Sequence, residues 1–268
     1  MTSHAFLAVT GASAIALLVS LAVAAPVLPL GSPTAISKDV ALRAPTVGEP
    51  FGMDDLGRSI LARVVHGYRV SLGVAVSSVL LALLIGGALG VIAGYAEGWP
   101  DHLIMRPLDV LMAFPGVLLA IALMSVFGTG AVLVSVALAV VYTPVVARVV
   151  RAAVLATKVE VYVDGARALG ATVPRVVLAH VLPNAATPIL VQASVLMAIA
   201  ILIEAALSFL GVGVRPPTPS LGLMLADGRG FMTQAPWMVV FPGLAIMAAV
   251  LGFNMLADGL RDWLDPQK

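Results

Sequence analysis

Long stretches without a charged side chain are the strongest constraint on how this chain can fold. Residues 5–25, 70–96 and 231–257 each contain no Asp, Glu, Lys or Arg. A helix of about 20 apolar residues crosses the hydrocarbon core of a bilayer. Only 11% of this sequence is charged, against about 25% in soluble domains. The sequence therefore predicts an all-α membrane protein surrounded by the lipid bilayer, and a net charge of +1 gives no reason to expect a nucleic-acid partner.

Six apolar segments predict six transmembrane helices, at about 5–26, 70–95, 105–127, 131–153, 185–209 and 235–257. The FGTG sequence at 127–130 divides one long uncharged run into the third and fourth of these. The first segment has an alternative interpretation as a signal peptide, because AVAAP at 22–26 resembles a cleavage site. We favour a retained helix, since no Lys or Arg precedes the run and the run is longer than the apolar region of a signal peptide.

The distribution of positive charge does not decide the orientation of these helices. With the amino terminus in the cytoplasm, the cytoplasmic segments hold eight of the 15 Lys and Arg residues and the opposite segments hold seven. Cytoplasmic loops usually carry a clear excess of Lys and Arg. A difference of one residue is too small for that rule to apply.

Residues 157–184, here called the polar segment, separate the fourth and fifth predicted spans. Helical spacing predicts a first short helix with an apolar face formed by Val159, Tyr162, Val163, Ala166 and Leu169. Asp164 and Arg167 are three residues apart and predict an ion pair on another face. Gly170 predicts the end of this helix, and Thr172 predicts the start of a second one. On periodicity alone, a solvated loop at the membrane surface is the simpler interpretation.

The spacing within the polar segment resembles the E-A-A-x3-G-x9-I-x-L-P loop of ABC-importer permeases. Three residues depart from that pattern, namely Asp164 for Glu, Gly165 for Ala and His180 for Ile. In that family the loop is cytoplasmic and docks on the ATP-hydrolysing subunit. The resemblance implies that Asp164 and Arg167 face the ATPase. It implies an ATPase-coupling role for the whole set Asp164, Gly165, Ala166, Arg167, Gly170, Leu182 and Pro183.

Further segments resemble the dipeptide/oligopeptide/nickel permease family, and in particular the second of its two permease subunits. They include FGMDDLGRSILARVVHGYRVSL at 51–72, LDVLMAFPGVLLAIAL at 108–123 and LIEAALSFLGVGVRPPTPSLGLML at 202–225. The resemblance implies a type I ABC importer permease fold in the cytoplasmic membrane of a prokaryote. It places a coupling helix between helices 4 and 5 and both termini in the cytoplasm. It also implies three parts: an amino-terminal part over 1–66, a transmembrane domain over 67–262 and a cytoplasmic tail over 263–268.

The same resemblance implies partners that supply what this chain lacks. They are a sibling permease subunit, two ABC ATPase subunits that bind ATP and Mg, and an extracytoplasmic substrate-binding protein. The chain itself has no G-x-x-x-x-G-K-[ST] phosphate loop and no cysteine, and its His residues are scattered. We therefore expect no enzymatic activity, no metal and no cofactor on this chain.

The expected substrate is a peptide, with nickel or another small solute as the alternative within the same class of importer. An ion-coupled secondary transporter and a membrane scaffold without transport activity are the rival classes. A secondary transporter usually carries several ionisable groups within its spans and often an internal repeat. Here only one acid qualifies as such a group, so we favour the importer.

That acid, Glu204, is a candidate for the translocation path, because an ionisable group at membrane depth is costly and commonly functional. Its alternative is a hydrogen bond to a neighbouring helix. Asp109 is expected to pair with Arg106, three residues before it, or to lie in the interface. Three glycines at four-residue spacing, namely Gly86, Gly90 and Gly94, predict a close helix contact within the permease, with a contact between subunits as the alternative.

Two segments ahead of the second span have weaker patterns. Residues 54–69 predict a separate amphipathic helix in the outer interface, capped by Asp54 or Asp55. A contact with a substrate-binding protein is the alternative for that helix. Residues 31–50, with three prolines, predict an extended external loop.

Overall fold

The computed structural model describes residues 3–264, and over that range the regular secondary structure is helical apart from one β-bridge between Met53 and Ser59. The predicted tail over 263–268 lies largely outside the described residues. In chain order the helices are α1 (Ser3–Ala24), α2 (Ile60–Ala96), α3 (Gly98–Met112), α4 (Gly116–Phe127), α5 (Ala131–Thr157), α6 (Val161–Ala168), α7 (Val173–Val176), a π-helical turn (Val177–Val181), α8 (Leu182–Asn184), α9 (Ala186–Phe209), α10 (Leu221–Gly228) and α11 (Trp237–Leu264). Short 3-10 turns occur at Lys38–Val40 and Arg229–Phe231.

The predicted number of six spans is not confirmed. Among the described residues four helices, α2, α5, α9 and α11, are long and apolar enough to cross a membrane. The third predicted span is two helices, α3 and α4, which meet at 90° and make a fifth crossing if they form one broken span. Pro115 lies at this bend as the residue before α4, and proline disfavours helix in the residue ahead of it. The apolar part of α1, Val9–Ala24, is shorter than the four long helices.

The prediction of a separate interfacial helix over residues 54–69 is wrong, because α2 begins at Ile60 and continues without a break to Ala96. Ser59 is the N-cap and its hydroxyl accepts a hydrogen bond from the Ala62 N–H. The apolar stripe of this segment packs inside the bundle rather than in the interface. Tyr68 is buried there and its hydroxyl donates to the Ala245 carbonyl of α11 over 2.7 Å.

The segment before α2, predicted as an extended loop over 31–50, folds back on itself. The Ser37 N–H donates to the Leu56 carbonyl over 3.1 Å, and the Leu42 N–H donates to the Asp54 carbonyl over 2.8 Å. Arg63 of α2 is only 2% exposed and forms ion pairs with Asp54 and with Asp227 of α10. Asp54 also accepts the backbone N–H groups of Leu56 and Arg58 over 2.9 Å each. Asp54 therefore neutralises a buried guanidinium, where the sequence had predicted a helix cap, and removing one partner of such a pair is strongly destabilising.

The predicted glycine contact is confirmed and joins α2 to α5. Gly86, Gly90 and Gly94 are buried on one face of α2. A Cβ atom at these positions would lie 2.5, 2.5 and 2.9 Å from backbone carbonyl oxygens of α5, namely those of Thr143, Ala147 and Arg151. Only glycine permits so close an approach of two helix backbones.

This contact makes Gly90→Ala a test of the packing. The new Cβ atom would lie close to the Ala147 carbonyl oxygen and 2.8 Å from the Cβ of Val150. Overpacking of this kind costs about 1–3 kcal/mol. The control is Gly87→Ala on the same helix, where a Cβ meets no atom within 4 Å. Thermal unfolding of the purified chain in detergent should give a lower Tm for Gly90→Ala and an unchanged or higher Tm for Gly87→Ala. Equal melting temperatures for the two variants would contradict the contact.

Candidate functional site

The polar segment follows α5 and has the predicted form of two short helices joined by a glycine turn. Helix α6 ends at Ala168, and Gly170 has a φ of +82°, a backbone conformation that favours glycine. The Gly170 N–H donates to the Arg167 carbonyl over 2.9 Å. Thr172 precedes α7 in an extended conformation, and Pro174 lies in the first turn, where its missing N–H costs nothing.

The predicted apolar face of α6 is only partly correct. Val163 has no exposed surface and Ala166 is half-buried, whereas Tyr162 is 44% and Leu169 is 91% exposed. Helix α6 spans only eight residues and lies at the end of the bundle, so one apolar side chain is enough to anchor it. What remains is an exposed apolar surface, here called the docking face, formed by Val161, Tyr162, Leu169 and Val173.

The docking face is uncharged at neutral pH. Partial burial raises the pKa of the Tyr162 phenol, and the neighbouring Glu160 carboxylate raises that pKa further. Tyr162 therefore stays protonated and neutral. Exposed apolar patches on a protein surface commonly mark contacts with partners.

The predicted pair between Asp164 and Arg167 is present, but the two side chains do not face the same way. Arg167 Nη1 donates to Asp164 Oδ1 over 2.9 Å. The guanidinium lies 5.6 Å from the ring centroid of Tyr95, near the end of α2, in a cation–π contact. Arg167 thus turns toward α2, while the Asp164 carboxylate remains exposed.

Lys158 connects the start of the polar segment to the carboxyl end of α2. Its buried ammonium donates to the Gly94 carbonyl over 2.7 Å and forms an ion pair with Glu97. The last carbonyls of a helix have no partner within the helix, so a cation there is stabilising. Sequence reasoning missed this role, although Lys158 and Glu97 each stand close to the end of an apolar run.

A second pair of charges holds α3 against α5 at the same end of the bundle. Arg151 donates from Nε and Nη2 to the two carboxylate oxygens of Asp101, over 2.6 Å in each case. The predicted pair between Asp109 and Arg106 is not formed. Asp109 instead pairs with Arg148 of α5 over 2.6 Å. Because α3 packs beside α5, Arg148 reaches Asp109 across the gap between the two helices.

The polar segment ends in a widened helical turn. Pro183 has no backbone N–H and cannot donate to the Ala179 carbonyl, and the π-helical turn Val177–Val181 stands directly before this point. Val181 is fully buried, Leu182 is half-buried and Pro183 is exposed. The structure thus places Leu182 and Pro183 where the segment joins α9.

Glu204 is enclosed by serine side chains between α2, α9 and α10. Its carboxylate accepts the Ser71 hydroxyl over 2.6 Å and the Ser208 hydroxyl over 2.8 Å, and the residue has no exposed surface. These bonds support the alternative of a hydrogen bond to a neighbouring helix, and a role in the translocation path stays a prediction. Within the part of the chain that the structure describes, no group of three or more His, Asp or Glu side chains is arranged to hold a metal ion.

Comparisons with known proteins agree with this architecture. The family model described as the binding-protein-dependent transport system inner membrane component matches residues 86–268. The dipeptide transport system permease protein DppC of Alkalihalophilus pseudofirmus is 43% identical over 261 residues, which are 97% of this chain and 86% of that protein. The glutathione transport system permease protein GsiD of Pectobacterium atrosepticum is 45% identical over 83% of this chain and 74% of its own length.

A solved structure of the methionine ABC transporter MetNI in an inward-facing conformation matches with a TM-score of 0.63. The match covers 77% of this chain and 98% of that one, at 18% sequence identity. At such low identity the match bears on the fold alone. It confirms the predicted type I ABC importer permease fold.

Substitution of Glu204 tests the hydrogen bonds that its carboxyl group makes with the serines. Glu204→Leu removes the acceptor of two buried hydroxyls, and each unsatisfied group costs about 1–3 kcal/mol, so the Tm should fall. Glu204→Gln keeps one acceptor oxygen, and rotation of the serine hydroxyls lets them pair with the amide, so the Tm should remain close to that of the unsubstituted chain. A Gln variant as unstable as the Leu variant would contradict the serine enclosure.

Proposed function

Because the chain belongs to the family of binding-protein-dependent transport system inner membrane components, we propose that it is a permease subunit of an ATP-driven ABC importer for dipeptides and short oligopeptides. The observation that carries this proposal is the 43% identity to a dipeptide permease along 97% of the chain. The second relative is named for glutathione, which is itself a small peptide. Peptide is therefore the substrate class that the relatives have in common.

The importer needs partners for the steps that this chain does not perform. A binding protein outside the membrane delivers the peptide, and the family's own description names such a protein. A sibling permease completes the pathway, and two ABC ATPases bind ATP and Mg in the cytoplasm. Both termini of this chain and its polar segment lie on that cytoplasmic side.

The docking face is the surface that we assign to the ATPase. Its four apolar side chains are exposed at one end of the bundle, beside the exposed carboxylate of Asp164. A Cβ atom on Gly165 would meet no atom within 4 Å, so this position leaves room for a partner backbone. Gly170 sets the angle between the two short helices that present the face.

Movement of the ATPase reaches the membrane helices through two side chains. Lys158 binds the terminal carbonyls of α2, and Arg167 lies over the Tyr95 ring on the same helix. The polar segment is also continuous with α5 and α9. A shift of α6 therefore acts on α2, α5 and α9 together, and in this role Arg167 connects α6 to the permease, not to the ATPase.

Leu169→Asp tests the docking face. We expect it to abolish copurification of the ATPase with the tagged permease from native membranes, because docking would bury an unpaired carboxylate. ATP-dependent dipeptide uptake should fall at least tenfold, since one unpaired buried charge costs more than about 1.4 kcal/mol.

The matched control is Val47→Asp, which changes another fully exposed apolar side chain, in the segment before α2. It should leave both copurification and uptake unchanged. Wild-type copurification by Leu169→Asp would overturn the docking assignment. Uptake that requires an ion gradient and not ATP would overturn the importer itself, in favour of a secondary transporter.

A further inference from the structure

Two apolar grooves run along α2 and meet at one cationic side chain. The first, of about 530 Å³, lies between α2, the start of α5 and residues 218–219. The second, of about 420 Å³, lies between α1 and α2. Both grooves are lined by Arg69, Gly73 and Ser77. The remaining walls of the second groove are Val, Ala and Leu side chains, such as Val23, Val76 and Leu80. Those of the first combine Val and Ala side chains with His66, Ser135, Thr218 and Pro219.

Arg69 has no internal counter-charge at this position. Its side chain is exposed, and within the part of the chain that the structure describes its guanidinium forms no hydrogen bond or ion pair. The neighbouring arginine Arg63, by contrast, is paired with two carboxylates. Where lipid rather than water covers these apolar walls, a guanidinium is costly unless an anion compensates it. The groove therefore calls for an anionic ligand at Arg69.

The depth of Arg69 fits the phosphate layer of a membrane. Helix α2 has 37 residues and is about 55 Å long at 1.5 Å per residue. A hydrocarbon core of about 30 Å centred on it leaves about 12 Å of helix outside at each end. Arg69 lies about 13 Å from the start of α2, at the edge of the hydrocarbon. Leu80 lies about 16 Å further along, roughly the thickness of one leaflet.

The two serine hydroxyls of the first groove are already used within the protein. The Ser77 hydroxyl donates to Ser135 over 2.8 Å, and the Ser135 hydroxyl donates to the Ala131 carbonyl over 2.9 Å. A peptide backbone in this place would bring amide groups against walls that offer few free partners, which is unfavourable. A ligand with one anionic group and two apolar chains matches the lining better.

We propose that the two grooves hold the acyl chains of one phospholipid, and that the lipid phosphate binds Arg69. The guanidinium fork suits bidentate bonding to phosphate oxygens. Gly73 leaves space where the two acyl chains diverge, because a Cβ atom at this position would meet no atom within 4 Å. The lipid seals the contact between α1, α2 and α5 at the end of the bundle opposite the polar segment.

The first experiment measures lipid binding to the purified full chain by native mass spectrometry. The probes are phosphatidylglycerol and a diacylglycerol with the same acyl chains, which lacks the phosphate. Arg69→Gln should weaken phosphatidylglycerol binding about tenfold, the effect of losing one charge-assisted contact, and leave diacylglycerol binding unchanged. Arg69→Lys should retain binding within about threefold, because it keeps the charge but loses the fork. The control Arg229→Gln removes another exposed cation, and it should change the binding of neither lipid.

A second pair of variants tests the grooves without touching the charge. Gly73→Leu places a side chain where the grooves meet and should weaken the binding of both lipids about tenfold or more, since it displaces both acyl chains. Gly87→Leu makes the same change on the same helix at another open position and should leave both affinities unchanged. Because both positions are open, both variants should melt at the temperature of the unsubstituted chain.

Three results would overturn the proposal. The first is equal binding of phosphatidylglycerol and diacylglycerol by the unsubstituted chain. The second is unchanged phosphatidylglycerol binding by Arg69→Gln. The third is displacement of the lipid by a dipeptide or by the purified sibling permease, either of which would identify a different occupant of the grooves.

Discussion

The close contact between α2 and α5 determines the geometry of the end of the bundle that carries the polar segment. Three glycines bring the α5 carbonyls against α2, and the same two helices then end side by side. Lys158, the residue after α5, therefore reaches the terminal carbonyls of α2. Arg151 on α5 reaches Asp101, which follows α2 on the next helix. Wider spacing of α2 and α5 would break both contacts, because hydrogen bonds weaken steeply beyond about 3.2 Å.

The polar segment is held to this frame by few contacts. Burial of Val163 contributes about 1.5–3 kcal/mol, whereas Gly165 weakens α6 by about 0.5–1 kcal/mol relative to Ala. An element with so few buried contacts belongs to the least stable part of a fold. In the proposed importer, contact with an ATPase would therefore add stability to α6. The cation–π contact between Arg167 and Tyr95 keeps α6 attached to α2 throughout.

Features that depend on the residue pattern within a single helix were predictable from the sequence. Apolar length predicted the long helices, and the spacing of Gly86, Gly90 and Gly94 predicted a close contact within the permease. Features that depend on which helices are adjacent were not predictable. The pair between Asp109 and Arg148 and the position of Arg167 over Tyr95 both join helices distant in sequence. The bend ahead of α4 had a local signal in Pro115, but a single proline in an apolar run does not specify an angle.

Glu204 and Arg69 show why depth alone does not assign a role to an ionisable residue. Both lie on long apolar helices. Two serines donate hydrogen bonds to the carboxyl group of Glu204, which has no exposed surface, so its oxygen atoms have their partners within the fold. Arg69 lies open between two apolar grooves and is compensated only by something outside the chain. In a membrane protein, the ionisable side chain that the fold leaves unpaired is the one to connect with a ligand.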